Sequence, residues 1–248
     1  MISKNTIKFI KSLEQKKYRK QSGLYVAEGP KVVGDLLRCG HIATEIFATG
    51  NYQSPINCGI HVITDEELRK ISFLQHPQQV LATFRIPTNN NSDIIPKKGL
   101  CLALDGVQDP GNLGTIIRLC DWFGINTIYC SPDTADAWNP KVVQATMGSI
   151  ARVNIIYINL HEILEKTAVP IYGTFLDGQS IYSQELSSDG IIVMGNEGNG
   201  ISTSLRSYIN HKLLIPSYCQ NDTAESLNVA IATAITCAEF RRLYPFKP

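Results

Sequence analysis

The sequence predicts an α/β protein in two parts: a small N-terminal α/β domain and a larger C-terminal α/β domain on a mostly parallel sheet. Three observations lead there. Short apolar runs of strand length alternate with amphipathic stretches at helical spacing through most of the chain. The alternation is interrupted between Pro87 and Pro96 by a polar, turn-rich segment containing Asn89-Asn90-Asn91-Ser92. Beyond it, three strands each run into a loop of glycine or small polar residues, as in an open sheet whose loops gather at one edge. The expected boundaries are 1–88, a linker at 89–98, and 99–248.

In the first part, residues 3–20 read as a helix with Ile7, Ile10 and Leu13 as its buried stripe. Leu24–Ala27 reads as a strand, Lys31–Leu37 as a helix, and Thr44–Ala48 and His61–Ile63 as strands. Thr64 and Glu67 form a capping box for a helix running to about Phe73, and Val80–Arg85 is the last strand. In the second part, strands are expected near 100–105, 126–130, 152–156, 169–174, 190–194 and 212–215. Helices are expected near 112–123, 139–146, 160–166, 202–208 and 225–243.

Charge separates the two parts. The net charge of the 248 residues is +1, yet residues 1–88 carry 12 Lys+Arg against 7 Asp+Glu, and residues 89–248 carry 11 against 15. A basic domain joined to an acidic one points to a polyanion held by the first. Lys16-Lys17-Tyr18-Arg19-Lys20 sets an aromatic ring among cations, a composition suited to RNA phosphates and bases, so Lys16, Lys17, Arg19 and Lys20 are the candidate RNA contacts. The alternative is a solvated helix face. The seven cysteines show no C-x-x-C spacing, which argues against a zinc cluster and a disulfide framework, and no metal is expected. The first ten residues lack a signal peptide's apolar core, and no membrane association is expected; the expected setting is cytoplasmic.

The apolar run Leu100–Leu104 enters the first loop, Asp105-Gly-Val-Gln-Asp-Pro-Gly-Asn112-Leu-Gly-Thr-Ile-Ile-Arg118. Asn112 supplies a donor and an acceptor. Arg118 stands between Ile117 and Leu119, either to meet an anion or to pair with Asp121. Ile191–Met194 enters the second loop, Gly195-Asn196-Glu197-Gly198-Asn199-Gly200-Ile201, with Ser202 placed to cap the next helix. It lacks the third glycine of a dinucleotide fingerprint, and the chain contains no P-loop. The third loop starts at Ile215-Pro216 and reaches Ser226-Leu227-Asn228-Val229, where Ser226 and Asn228 fall in the first turn of a helix rich in small residues.

Together these loops resemble the three motifs of the SpoU/TrmH family of SPOUT RNA methyltransferases. The first matches at Asp105, Val107, Asp109-Pro110, Asn112, Gly114, Ile116 and Arg118; the second at Gly195–Gly198 and Gly200-Ile201; the third at Ile215-Pro216 and Ser226–Val229. Asn139-Pro140-Lys141-Val142-Val143 through Gly148 is similar to an intermediate segment, and the resemblance spans about 100–245. Tyr18-Arg19 and Val26-Ala27-Glu28-Gly29-Pro30 look like the ribosomal-protein-like substrate-binding domain of some members.

The resemblance implies methyl transfer from S-adenosylmethionine to a ribose 2′-hydroxyl of RNA, rRNA more than tRNA, by a homodimer with a trefoil knot around the cofactor. It places Asn112, Arg118, Glu197, Ser226 and Asn228 in the active site, and Gly195, Asn196, Gly198, Ile215, Pro216, Ser226 and Leu227 around the cofactor. A guanidinium hardly deprotonates in a protein, so Arg118 is read as a phosphate clamp and a stabiliser of developing alkoxide charge. Ser226 or Asn112 would orient the hydroxyl, and Glu197 would fix Arg118 or a nearby amide. Trp122-Phe123, and small residues beside Phe240 and Leu243, suit contact between subunits. One departure stands out: Ser217-Tyr218-Cys219 replaces the family's Met-x-Gly pattern, and the loop at 217–225 is about three residues longer. That leaves a catalytically silent RNA-binding protein on the same scaffold as the alternative.

Overall fold

The computed structural model describes residues 1–88, 94–219 and 225–244. The chain forms two compact units: Met1–Asn89 with Asp136–Arg152, and Asn90–Ala135 with Val153–Pro248.

The first unit begins with α1 (Lys4–Ser12) and α2 (Lys16–Ser22), followed by β1 (Leu24–Glu28) and α3 (Pro30–Arg38). Then come β2 (Ala43–Ala48), β3 (His61–Val62), α4 (Asp65–Ile71) and β4 (Val80–Arg85). The sheet runs β1-β4-β2-β3, with β4 antiparallel to both neighbours and β3 parallel to β2. Ile10, Leu13, Val26, Phe47, Leu68, Ile71 and Leu81 close one core. The Thr64–Glu67 capping box is present, and α4 stops at Ile71 because Ser72 is extended.

The single helix expected over 3–20 is two helices, and Arg19 supplies the reason. Its Nη1 donates to the carbonyl oxygens of Leu13 (2.7 Å) and Glu14 (2.6 Å), which the turn between α1 and α2 leaves without helical partners. Its Nε (3.1 Å) and Nη2 (2.5 Å) donate to Asp136 Oδ2. Arg19 is 1% exposed, so it belongs to the core and leaves the set of candidate RNA contacts. Lys16, Lys17 and Lys20 on the same helix are exposed.

The second unit contains β5 (Leu100–Leu104), α5 (Pro110–Trp122), β6 (Thr127–Cys130), β7 (Asn154–Tyr157) and α7 (Leu160–Lys166), the chain passing through α6 (Pro140–Ala145) between β6 and β7. It continues through β8 (Ile171–Ser180), β9 (Gly190–Met194), α8 (Thr203–Arg206), β10 (His211–Leu214) and α9 (Val229–Leu243). The strand order is β10-β8-β9-β5-β6-β7, and every ladder is parallel. All five residues of β5 are buried, which is why its sequence is a continuous apolar run rather than an alternating one. β8 is longer than expected because its pairing with β10 slips: Lys212 faces Gly173, but Leu213 faces Gln179.

The strand order fixes where a ligand site can form. β5 connects onward to β6 on one side, while its neighbour β9 connects through α8 to β10 on the other. The two loops therefore diverge at the carboxyl ends of adjacent strands and leave a crevice.

Helices α5 and α9 pack together, with Cys120 beside Cys237. Arg241 closes the end of α5, its Nε donating to Phe123 O (2.7 Å) and its Nη2 to Gly124 O (3.1 Å). Ala230, Thr233 and Thr236 are buried within this chain, as is Phe240, which meets Tyr172 edge-on at 4.9 Å. Phe240 and these three are thus core rather than an exposed face, whereas Ala238, Leu243 and Trp122, the last 83% exposed, remain outside. All seven cysteines are free thiols, and burial pushes those of Cys101 and Cys237 up to about 11 and about 12, so both stay protonated and unreactive. Among the described residues, no helix is long and apolar enough to cross a membrane, and no group of three His, Cys, Asp or Glu side chains is placed to hold a metal.

The stretch Asp136–Arg152, although inserted between β6 and β7, completes the first unit. Trp138 lies against Tyr25 (ring centroids 4.7 Å), α6 packs on β1, and His41 Nε2 is 3.3 Å from Ala151 O. Arg152 pairs with Asp35 at 3.5 Å. Gly148 (φ 97) has no room for a side chain, since a Cβ there would lie 2.4 Å from Asp35 Oδ2.

Arg19→Met should destabilise the protein by about 3 kcal/mol, the lower end for breaking a buried pair, because Asp136 keeps 14% side-chain exposure. The urea midpoint measures this. A loss under about 1 kcal/mol would mean that the pair behaves as a surface bridge.

Candidate active site

The first loop is fastened at both ends. Gly106 (φ 69) donates its N–H to Ser131 Oγ (2.9 Å), and Val107 O accepts from Ala135 N (2.9 Å). Asp109 Oδ1 caps α5 by accepting from Asn112 N (2.8 Å), with Pro110 at the first helical position. Asp105 Oδ2 accepts from Ser202 N (2.7 Å) and so ties this loop to the second. Ser202 holds the N-cap position of α8, but its hydroxyl makes no capping bond there.

Asn196 organises the second loop. Its Oδ1 accepts from Gly198 N (2.9 Å) and Asn199 N (3.1 Å), while its Nδ2 donates to Gly106 O (2.7 Å). A two-way backbone bridge joins Asn196 and Gly200 at 3.0 and 2.9 Å. Gly195 is required at the crossing: a Cβ there would fall 2.2 Å from the Gly200 carbonyl carbon.

The third loop reaches the other two through one amide. Asn228 is the N-cap of α9, its Oδ1 accepting from Ala230 N (3.0 Å) and Ile231 N (3.3 Å). With the oxygen so engaged, its Nδ2 donates to Asn112 Oδ1 (2.9 Å). Asn112 Nδ2 in turn donates to Glu197 Oε1 (2.9 Å). One side chain from each loop therefore stands in a directed relay: Asn228, then Asn112, then the Glu197 carboxylate. Of the two partners expected for Glu197, the structure selects the amide.

The other expected residues are placed as follows. Gly195, Asn196 and Gly198 surround the second loop. Ile215 and Pro216 are half-buried just past β10, and Leu227 is 49% exposed just before α9. Ser226 lies ahead of α9 rather than in its first turn, is exposed, and makes no hydrogen bond among the described residues. Arg118 is exposed on the face of α5 shared with Thr115 and Trp122, with no ion pair or hydrogen bond among the described residues. It lies six residues beyond Asn112, roughly 9 Å along the axis and turned away from the relay. The lengthened stretch 217–225 falls largely outside the described residues. Sequence reasoning passed over Ser131, Thr134 and Ala135, which fasten the first loop; the polar cluster Ser-Pro-Asp-Thr after a buried strand was their signal.

Comparison with known proteins bears on this arrangement. Residues 4–82 match the MRM3-like substrate binding domain, and residues 99–238, more than half of the chain, match the SpoU rRNA methylase family. The chain belongs to the SpoU rRNA methylase family. Among its relatives is the 23S rRNA (guanosine(2553)-2′-O)-methyltransferase RlmP of Bacillus subtilis, 30% identical over 243 residues and 95% of each chain. A putative RNA methyltransferase of the TrmH family from Porphyromonas gingivalis superposes with a TM-score of 0.88 at 40% identity, covering 98% of this chain and 99% of that one. An AdoMet-bound rRNA methyltransferase from Sinorhizobium meliloti does so with a TM-score of 0.87 at 29% identity, covering 100% and 97%. The all-parallel sheet is thus the SpoU-type α/β fold.

Gly195→Ala should force the Asn196–Gly200 bridge apart. Hydrogen exchange at the Gly200 amide, protected in the native loop, should accelerate by at least about tenfold; an unchanged rate would mean that the loop closes without this glycine.

Proposed function

We propose that the protein transfers a methyl group from S-adenosylmethionine to a ribose 2′-hydroxyl of ribosomal RNA. The observation that carries this is the relay of Asn228, Asn112 and Glu197, which draws the three motif loops together at the switch point of the sheet. The Bacillus relative, similar over nearly the whole chain, is named as a 2′-O-methyltransferase of 23S rRNA, and this favours rRNA over tRNA.

The side chains present suit this cofactor. The first two loops carry the carboxylates of Asp105, Asp109 and Glu197, a charge that would favour a sulfonium cation. The bound cofactor would supply an activated methyl group. Gly195, Asn196, Gly198, Ile215, Pro216, Ser226 and Leu227 would hold it, within the knot that the family resemblance implies.

What the chain itself contributes is position. The relay holds Asn112 at the mouth of α5 with its amide orientation set, ready to fix a hydroxyl, and the exposed Ser226 hydroxyl is a second group for that task. Arg118 faces away from the relay of its own chain, beside exposed Trp122. We therefore assign it to the site of a second copy, as a clamp on the adjacent phosphate in a homodimer. Lys16, Lys17 and Lys20, with exposed Tyr18 beneath Lys17, provide the RNA-binding face of residues 1–88. The expected setting is the cytoplasm, with its ribosomal RNA.

Calorimetry should show saturable binding of S-adenosylmethionine, and 2′-O-methyl mapping of rRNA should lose one site when the gene is removed. No binding at millimolar cofactor would favour a silent RNA-binding scaffold instead. Arg118→Ala should lower methyl transfer by a factor of about 100 or more while cofactor binding holds, and Arg118→Lys should recover little, since a point charge does not reproduce a planar fork. Near-normal Arg118→Lys activity would remove the clamp. A monomer with full activity in light scattering would remove the shared site.

A further inference from the structure

We infer that Arg19 and Asp136 are positioning residues that couple RNA held on α2 to the first motif loop, an inference that rests on the functional reading above. Within α2, Lys16, Lys17 and Lys20 are exposed and Arg19 alone is buried, so one short helix presents cations outward and a guanidinium fork inward. The fork makes four hydrogen bonds, two to the turn ahead of α2 and two to Asp136 Oδ2. The second carboxylate oxygen of Asp136 accepts from Trp138 N (3.1 Å), so the residue is held from both sides within the first unit.

Its neighbour is held just as firmly in the other unit. Ala135 donates its N–H to Val107 O (2.9 Å) and accepts from the Tyr157 hydroxyl at its own carbonyl. Thr134 Oγ1 donates to Leu104 O (3.0 Å), and Ser131 Oγ accepts from Gly106 N (2.9 Å). The segment 131–135 thus fastens the loop from which Asp109 and Asn112 project. One peptide bond, with its fixed Cα spacing of about 3.8 Å, separates a residue anchored to that loop from a residue anchored to α2. Only the ψ of Ala135 and the φ of Asp136 can turn between the two anchors, so a displacement of α2 on binding polyanion has little slack in which to dissipate before it reaches Val107. An exposed salt bridge between mobile side chains would transmit nothing; a buried fork held by four hydrogen bonds moves with its backbone.

The test measures affinity for S-adenosylhomocysteine by calorimetry on the full chain, with and without saturating unmodified 23S rRNA transcript. RNA should raise the affinity at least about fivefold, the lower end of ordinary coupling between sites. Inserting Gly-Gly between Ala135 and Asp136 keeps the fork and the hydrogen bonds of each unit but adds slack; the ratio should fall to about one while each ligand alone binds within twofold of wild type. Asp136→Asn, which keeps an acceptor and removes the charge, serves as a second variant and should give an intermediate ratio; whichever variant retains a cooperative melt decides. A merely structural pair would lower the melting temperature and leave the ratio intact. A ratio of one in wild type, or a wild-type ratio in the folded variants, overturns the inference although both ligands bind. A wild-type protein that binds neither ligand alone overturns the functional reading, and this inference with it.

Discussion

A helix begins with backbone N–H groups that have no partner inside the helix. At α9 the Asn228 side-chain oxygen takes two of them, and that obligation determines what the rest of its amide does. The nitrogen turns outward, Asn112 must offer its oxygen, and the Asn112 nitrogen is left for the Glu197 carboxylate. A need of local helix chemistry therefore sets the polarity of the whole site. Reversing any one amide would place two donors or two acceptors face to face, at a cost of about 1–3 kcal/mol for the group left unsatisfied.

The sheet makes that chain of amides possible. An all-parallel order delivers the carboxyl ends of β5, β9 and β10 to one edge, and the connections after β5 and β9, running in opposite directions along the sheet, open the gap between them. Glycine then appears where backbone must approach backbone, at Gly195 against Gly200, and small residues appear where α9 lies close to α5. The acidic balance of residues 89–248 includes the carboxylates of Asp105, Asp109 and Glu197 on the first two loops.

Much of this was legible in the sequence. Alternation of apolar runs places the ten strands of the described residues, all but the long β8 to within about two residues, and the motifs contain Asn112, Glu197 and Asn228, which the structure joins. What sequence reasoning missed depends on tertiary partners. Periodicity carries 3–20 as one helix, because the break is made by Arg19 reaching Asp136, 117 residues away. Arg19 looked like its lysine neighbours, since a burial that rests on a distant carboxylate leaves no local trace. Phe240 looked exposed because the aromatic ring that covers it, Tyr172, belongs to β8. Ser226 and Asn228 are both good caps, and only the entry of the chain into α9 chooses between them.

The return of Asp136–Arg152 to the first unit has a consequence for how this protein is divided. The linker after β4 looks like a natural place to cut, yet a fragment ending there lacks the carboxylate that Arg19 requires and the ring that covers Tyr25. The complementary fragment would carry Trp138, Val142 and Ile150 with their packing partners gone, an exposed apolar strip. Shuffling of such modules between genes, or their separate expression, would have to carry the borrowed segment along with the N-terminal half.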